Sequence, residues 1–134
     1  MLFPDSLKSI GSYAFSGCEN LKDVYLPSNL EVIESFAFSD CVSIEKVVIP
    51  ETVKELHWGA FISCSSLSEI NIPKNIEFIE STFIAYTAIY NDKSYWTDGL
   101  LYIDNILVDT EEYSSESEYI IKEGTERIAS SAFL

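Results

Sequence analysis

Four prolines stand 23 residues apart, at Pro4, Pro27, Pro50 and Pro73. Cys18, Cys41 and Cys64 keep the same step, and so do Phe15, Phe38 and Phe61. A fixed period of this length marks a chain made by stacking one small unit on another. A single unit is too short to bury its own apolar side chains. Stability therefore has to pass from each turn to its neighbours, and the fold class is a repeat solenoid, mainly β. Such a shape offers a long surface rather than an enclosed vessel.

The apolar columns align without gaps for three turns. Leu7, Leu30, Val53 and Ile76 form one; Ile10, Ile33, Leu56 and Ile79 form another. Val24, Val47 and Ile70 precede Leu26, Ile49 and Ile72, and Ala14, Ala37 and Ala60 stand beside the phenylalanines. The segment from Leu21 to Pro27 reads as a short strand, with Val24 and Leu26 inward and Tyr25 outward as a period of two requires. Stacking pairs these strands in parallel, about 4.8 Å apart. Proline has no N–H and closes the ladder at its end. Leu30 and Ile33 then cross the opposite wall. Ala37 takes the bend back, and Phe38 fills the space between the walls.

The runs Ala14-Phe15-x-x-Cys18, Ala37-Phe38-x-x-Cys41 and Ala60-Phe61-x-x-Cys64, with the strand ends Leu26-Pro27, Ile49-Pro50 and Ile72-Pro73, closely resemble the BspA-type leucine-rich repeat family of bacterial and protist surface proteins. One departure is that Glu34 and His57 replace a glycine common after the second-wall isoleucine, while Gly11 keeps it. The resemblance implies a right-handed leucine-rich repeat coil with short parallel strands. It further implies a cell-surface or secreted module that adheres to host proteins, host cells or other microbes.

The fourth turn breaks the pattern. Phe83 follows Ile79 one residue sooner than Phe61 follows Leu56, and Tyr86-Thr87 stands where the cysteine belongs. Regular repeats are expected over 1–87, with an extended insert repeat at about 88–118. Within it, 99–103 and 106–108 flank Asp104-Asn105 and predict a β-hairpin. The polar run 111–118 reads as a loop. The family contains a similar insert, and Asp98-Gly99-Leu100-Leu101-Tyr102 with Leu107 resembles its core. The period resumes over 119–134, where Tyr119, Ile121, Ile128, Ala132 and Phe133 have the spacing of Val47, Ile49, Leu56, Ala60 and Phe61. The whole of 1–134 is thus expected to form one domain, reading as a segment of a longer protein. Terminal turns without capping repeats would leave strand edges open to end-to-end self-association.

Composition removes several function classes. With 22 acidic against eight basic residues the net charge is −14, so the chain lacks the basic footprint of a nucleic-acid partner. No run of 18 apolar residues exists for insertion across a membrane. A ladder of three thiols without a nearby histidine cannot make a tetrahedral zinc site. Parallel Cβ directions suit no disulfide, so the cysteines read as small buried hydrophobes. Unpaired thiols lean toward a reducing compartment, which keeps a cytoplasmic scaffold open as an alternative. His57 is the only histidine, and no motif places a nucleophile beside it. Asp92, Asp98 and Asp104 fit turn positions better than a calcium loop. The sequence points to no enzyme and no cofactor.

What is left is the outward stripe of the strand wall: Lys22, Asp23 and Tyr25, then Glu45, Lys46 and Val48, then Ser68, Glu69 and Asn71. Asp23, Lys46 and Glu69 share one column and alternate in charge. This stripe is the candidate face for a protein or glycan ligand, and the bland alternative is a solvated surface of a structural spacer. Tyr86, Tyr90, Tyr95 and Trp96 form a second aromatic candidate.

Overall fold

The computed structural model describes residues 1–111 and 118–134. Most of the expected loop at 111–118 lies outside the described residues. The chain is a repeat solenoid of short, mostly parallel strands: β1 (Ser9–Ile10), β2 (Val32–Ile33), β3 (Lys46–Val47), β4 (Glu55–Leu56), β5 (Glu69–Ile70) and β6 (Phe78–Ile79). A short helix α1 (Ala88–Asn91) follows. Then come β7 (Trp96–Thr97), β8 (Leu100–Ile103), β9 (Ile106–Thr110) and β10 (Arg127–Ile128).

The longer ladder is not on the expected wall. β1, β2, β4 and β6 form a four-stranded parallel sheet on the wall crossed by Leu30 and Ile33, with Ile10, Ile33, Leu56 and Ile79 in register. On the first wall, pairing among the described residues is limited to β3 with β5 and an isolated bridge between Leu2 and Tyr25. Two causes are visible. Each strand there runs into a proline that has no N–H to donate. Between the second and third turns the next rung is made by a side chain, because the Asn71 amide accepts from Ile49 N–H at 2.8 Å and donates to Ile49 C=O at 2.9 Å.

Both bends repeat as faithfully as the strands. The N–H of Leu7, Leu30, Val53, Ile76 and Thr125 each reaches the carbonyl three residues back, at Pro4, Pro27, Pro50, Pro73 and Lys122. The return bend needs two left-handed residues per turn. Tyr13, Phe36 and Gly59 hold φ near 60° in one column. Gly17, Asp40, Ser63 and Tyr86 do so in a second, with φ from 57° to 72°. Gly59 is also required by space, since a Cβ there would stand 3.0 Å from the Phe36 ring. Between the two columns, the N–H groups of Phe15 and Phe38 bond to Ala37 and Ala60 of the next turn, each at 2.8 Å.

Inside, Phe15, Phe38 and Phe61 stack with centroids 5.2 Å apart. Ala37, Ala60, Cys41 and Cys64 are fully buried beside them. The stack ends at the fourth turn, where the sequence pattern breaks. Phe61 N–H bonds to Phe83 C=O and Ser63 N–H to Ala85 C=O, so the backbone keeps its 23-residue step. Phe83 therefore takes the alanine column and Ile84 the phenylalanine column. Both are fully buried. Thr87 replaces the cysteine, is itself buried, and caps α1 by accepting from Tyr90 N–H.

The hairpin forms where the sequence placed it. β8 and β9 pair antiparallel around Asp104-Asn105, with Ile103 opposite Ile106 and a register shift between Leu101 and Tyr102. β7 adds a third strand that the sequence reading did not anticipate. All four residues of β8 are buried because both faces are covered: Leu101 and Ile103 join the solenoid core, and Leu100 and Tyr102 pack with Leu107 and Tyr119. The resumed turn docks through β10 in parallel with β9 and through a bridge between Glu80 and Ser130.

Candidate functional site

The stripe lies on the sparsely paired first wall, where the period of two turns every second side chain outward. Lys22, Asp23, Tyr25, Glu45, Lys46, Val48, Ser68 and Glu69 are all exposed. Tyr25 keeps 60% and Val48 61% of its surface open, which is unusual for apolar residues on so ordered a wall. Asn71 is half-buried, and both ends of its amide are held by the Ile49 backbone. It is a rung of the fold as well as a border of the face.

Around Tyr25 the wall opens into a shallow trough lined by Asp23, Val24, Tyr25, Leu26, Lys46, Val48 and Pro50. It lies where, among the described residues, no ladder joins the first strand segment to β3. A second depression, sharing Lys46 and Val48, continues to Glu69, Asn71 and Tyr95. The insert thus contributes Tyr95 to the same face. Lys46 pairs with Glu69 one turn away. The face has an apolar centre flanked by charges of both signs, the make-up of an interface core and rim.

The other aromatic candidates divide. Trp96 packs edge-on against Tyr90 and donates to Tyr90 C=O at 2.9 Å. Tyr90, Tyr95 and Trp96 are all partly buried against the core, whereas Tyr86 stays exposed. An outward aromatic row was missed by the sequence reading: Tyr13 stacks on Phe36 at 4.7 Å, and Phe36 meets Trp58 edge-on at 4.5 Å. The 23-residue step from Tyr13 to Phe36 was the available signal. A second alternating charge column was missed as well. Lys8, Glu31, Lys54 and Glu77 stand one turn apart, with Lys8 to Glu31 at 2.6 Å and Lys54 paired to Glu77. The Lys8 hydrogen bond and charge hold the Glu31 carboxyl below its ordinary range, and Glu77 raises Lys54 in the same way.

The remaining groups have structural roles. Cys41 and Cys64 donate to Phe15 C=O and Phe38 C=O of the preceding turn, at 3.1 and 3.0 Å. Burial pushes their thiols up to about 11 and about 12, far from the reactive thiolate range. His57 is half-buried, bonds to Glu55 at 3.0 Å and leans on Phe78. Asp92 accepts from Ser94 N–H, which holds its carboxyl low, and Asp104 sits in the hairpin turn with φ 54°. Among the described residues no group of His, Cys, Asp or Glu could hold a metal ion.

The model of the BspA type leucine-rich repeat region matches residues 1–99 in six copies. The chain belongs to the BspA-type leucine-rich repeat family. The matched stretch is accordingly a leucine-rich repeat module of the protein-interaction kind. Similar solved structures include a leucine-rich repeat protein from Bacteroides ovatus, 39% identical, TM-score 0.55, covering 57% of this chain and 20% of that one. A leucine-rich cell surface protein from Faecalibacterium prausnitzii is 31% identical, TM-score 0.59, covering 62% and 22%. A leucine-rich repeat protein from Eubacterium ventriosum is 33% identical, TM-score 0.59, covering 70% and 26%. The chain thus spans between a fifth and about a quarter of these relatives. No curated protein matches it.

Proposed function

We propose that this chain is a segment of a cell-surface or secreted adhesin, and that it binds a protein or glycan ligand through the stripe centred on Tyr25 and Val48. The observation that supports this most directly is the pair of exposed apolar side chains over an open trough, on a wall held rigid by the turns behind it. Lys22, Asp23, Glu45, Lys46, Ser68 and Glu69 surround that centre, with Asn71 at its border. The contact would be multivalent and non-covalent, because successive turns present outward side chains at a fixed spacing along one wall. The surface setting is supported by the Faecalibacterium relative, a cell surface protein.

Two experiments test the reading. A non-penetrating protease applied to intact cells carrying the protein should remove this segment; full protection beside a cleaved surface control would move it inside the cell. Adherence of the same cells to an epithelial monolayer should fall at least tenfold when Tyr25→Ala, Glu45→Gln and Glu69→Gln are combined. Unchanged adherence would make the stripe the solvated face of a spacer.

A further inference from the structure

A cavity lies away from the stripe, on the return bend after the second wall. It is a groove of about 800 Å³ between the fourth turn, the hairpin and the resumed turn. Trp58, Tyr86, Tyr90 and Tyr119 supply aromatic walls, and Glu80, Asp109 and Glu111 supply carboxylates. Among the described residues no lysine, arginine or histidine lines it, and Glu111 is paired with Lys93 at its edge. Trp58 keeps 43% and Tyr86 61% of its surface open. Trp58 ends the outward row that begins at Tyr13, so the groove is continuous with a ridge of packed aromatic rings. The lining also contains the Thr82 hydroxyl, buried and without a hydrogen-bond partner among the described residues.

Ring faces carry negative potential and attract cations, most strongly where carboxylates stand near and water is thinned out. The molecule already uses this combination at the groove's rim. Lys93 lies 5.1 Å from the centre of the Trp96 ring while its Nζ meets Glu111 at 3.0 Å. A chain with a net charge of −14 adds long-range attraction for a basic partner. A neutral sugar would gain from the aromatic platform and from hydrogen bonds to the carboxylates, but only a cation gains from their net charge as well. We propose that the groove binds an arginine or lysine side chain presented by an extended basic segment of a partner protein. The cation lies against Trp58 and Tyr86, with Glu80 and Asp109 facing it. The next residues of the partner run along the Phe36 and Tyr13 ridge. This is a second site, separate from the stripe and independent of it.

The test uses the 134-residue chain and the peptide acetyl-Gly-Arg-Gly-Arg-Gly-amide, followed by NMR, with affinity read in every variant from the backbone amides of Ala85 and Tyr86 and, wherever Trp58 is present, also from its indole N–H. Saturable shifts of these resonances are expected, weakening as salt rises. Replacing both arginines by citrulline keeps the shape and removes the charge, and should lower affinity at least tenfold. Trp58→Ala and Tyr86→Ala leave the net charge unaltered, and each should lower affinity about tenfold; Glu80→Gln should do the same. Tyr25→Ala, on the other wall, should have no effect. Equal binding of the citrulline peptide would overturn the proposal. So would undiminished binding by both aromatic variants, which would reveal diffuse attraction to an acidic chain. Saturation of the Trp58 resonance by cellotetraose, unaffected by Glu80→Gln, would overturn it in favour of a sugar platform.

Discussion

Replacing Phe38 by leucine tests whether stability in this chain passes only between adjacent turns. Phe38 is fully buried and stacks on two rings, Phe15 at 11° and Phe61 at 1° between planes. Leucine keeps most of the volume, so the packing loss should stay below about 1.5 kcal/mol. Each lost ring pair adds roughly 0.5–1.5 kcal/mol. Phe61 has one such partner, because Ile84 occupies its column in the fourth turn. Phe61→Leu should therefore cost about 1 kcal/mol less than Phe38→Leu, the difference of one ring pair. Urea unfolding of the single and double variants gives the couplings. The Phe38/Phe61 cycle should show about 1 kcal/mol. The Phe15/Phe61 cycle, two turns apart, should be additive within about 0.5 kcal/mol. A Phe15/Phe61 coupling as large as that of the adjacent pair would refute nearest-neighbour stability. No coupling between Phe38 and Phe61 would show that the stack acts only through burial.

Iodoacetamide at pH 8 should label Cys18, which is half-buried, well before Cys41 and Cys64; mass spectrometry of peptides gives the order, and equal rates would contradict the buried ladder. The raised thiols of Cys41 and Cys64 contribute stability that is complete below the unfolded thiol range of about 8.5 and is lost as pH climbs through about 11 and about 12. The melting temperature should fall in that interval, and the fall should shrink in the Cys41→Ala, Cys64→Ala double variant. Asn71→Ala removes both contacts to the buried Ile49 backbone and should cost about 1–3 kcal/mol by urea unfolding; an unchanged midpoint would show that water replaces the rung. Lys54→Glu places three carboxylates in a row with Glu31 and Glu77, so stability should drop at low salt and recover near 1 M, where screening is about 3 Å.

What the sequence made legible was the interior. Val24, Ile33, Phe38 and Cys41 recur because an inward position meets the same position of the next turn, and only a narrow range of volumes fits. The family, the stacked phenylalanines and the hairpin around Asp104-Asn105 followed from that constraint. The left-handed columns did not. One is filled by Tyr13, Phe36 and Gly59, the other by Gly17, Asp40, Ser63 and Tyr86, and no shared side-chain chemistry announces either. The bend imposes these conformations from outside the residue. The short step from Ile79 to Phe83 has a related cause. Inter-turn hydrogen bonds fix the backbone step, and side chains change columns before the backbone changes register. Outward positions escape the period altogether, so Tyr25 and Val48 were visible only as apolar residues where the repeat required none. The same reasoning locates the groove. Between regular turns the wall opens only into troughs such as the one at Tyr25, and the aromatic groove lies where the pattern breaks. It breaks at the fourth turn, where Phe83 shifts column, Thr87 replaces cysteine to cap a helix, and the hairpin intervenes before the period resumes. In a solenoid the departures from the repeat are where individual recognition can be built, and the repeat itself supplies the rigid frame that holds them.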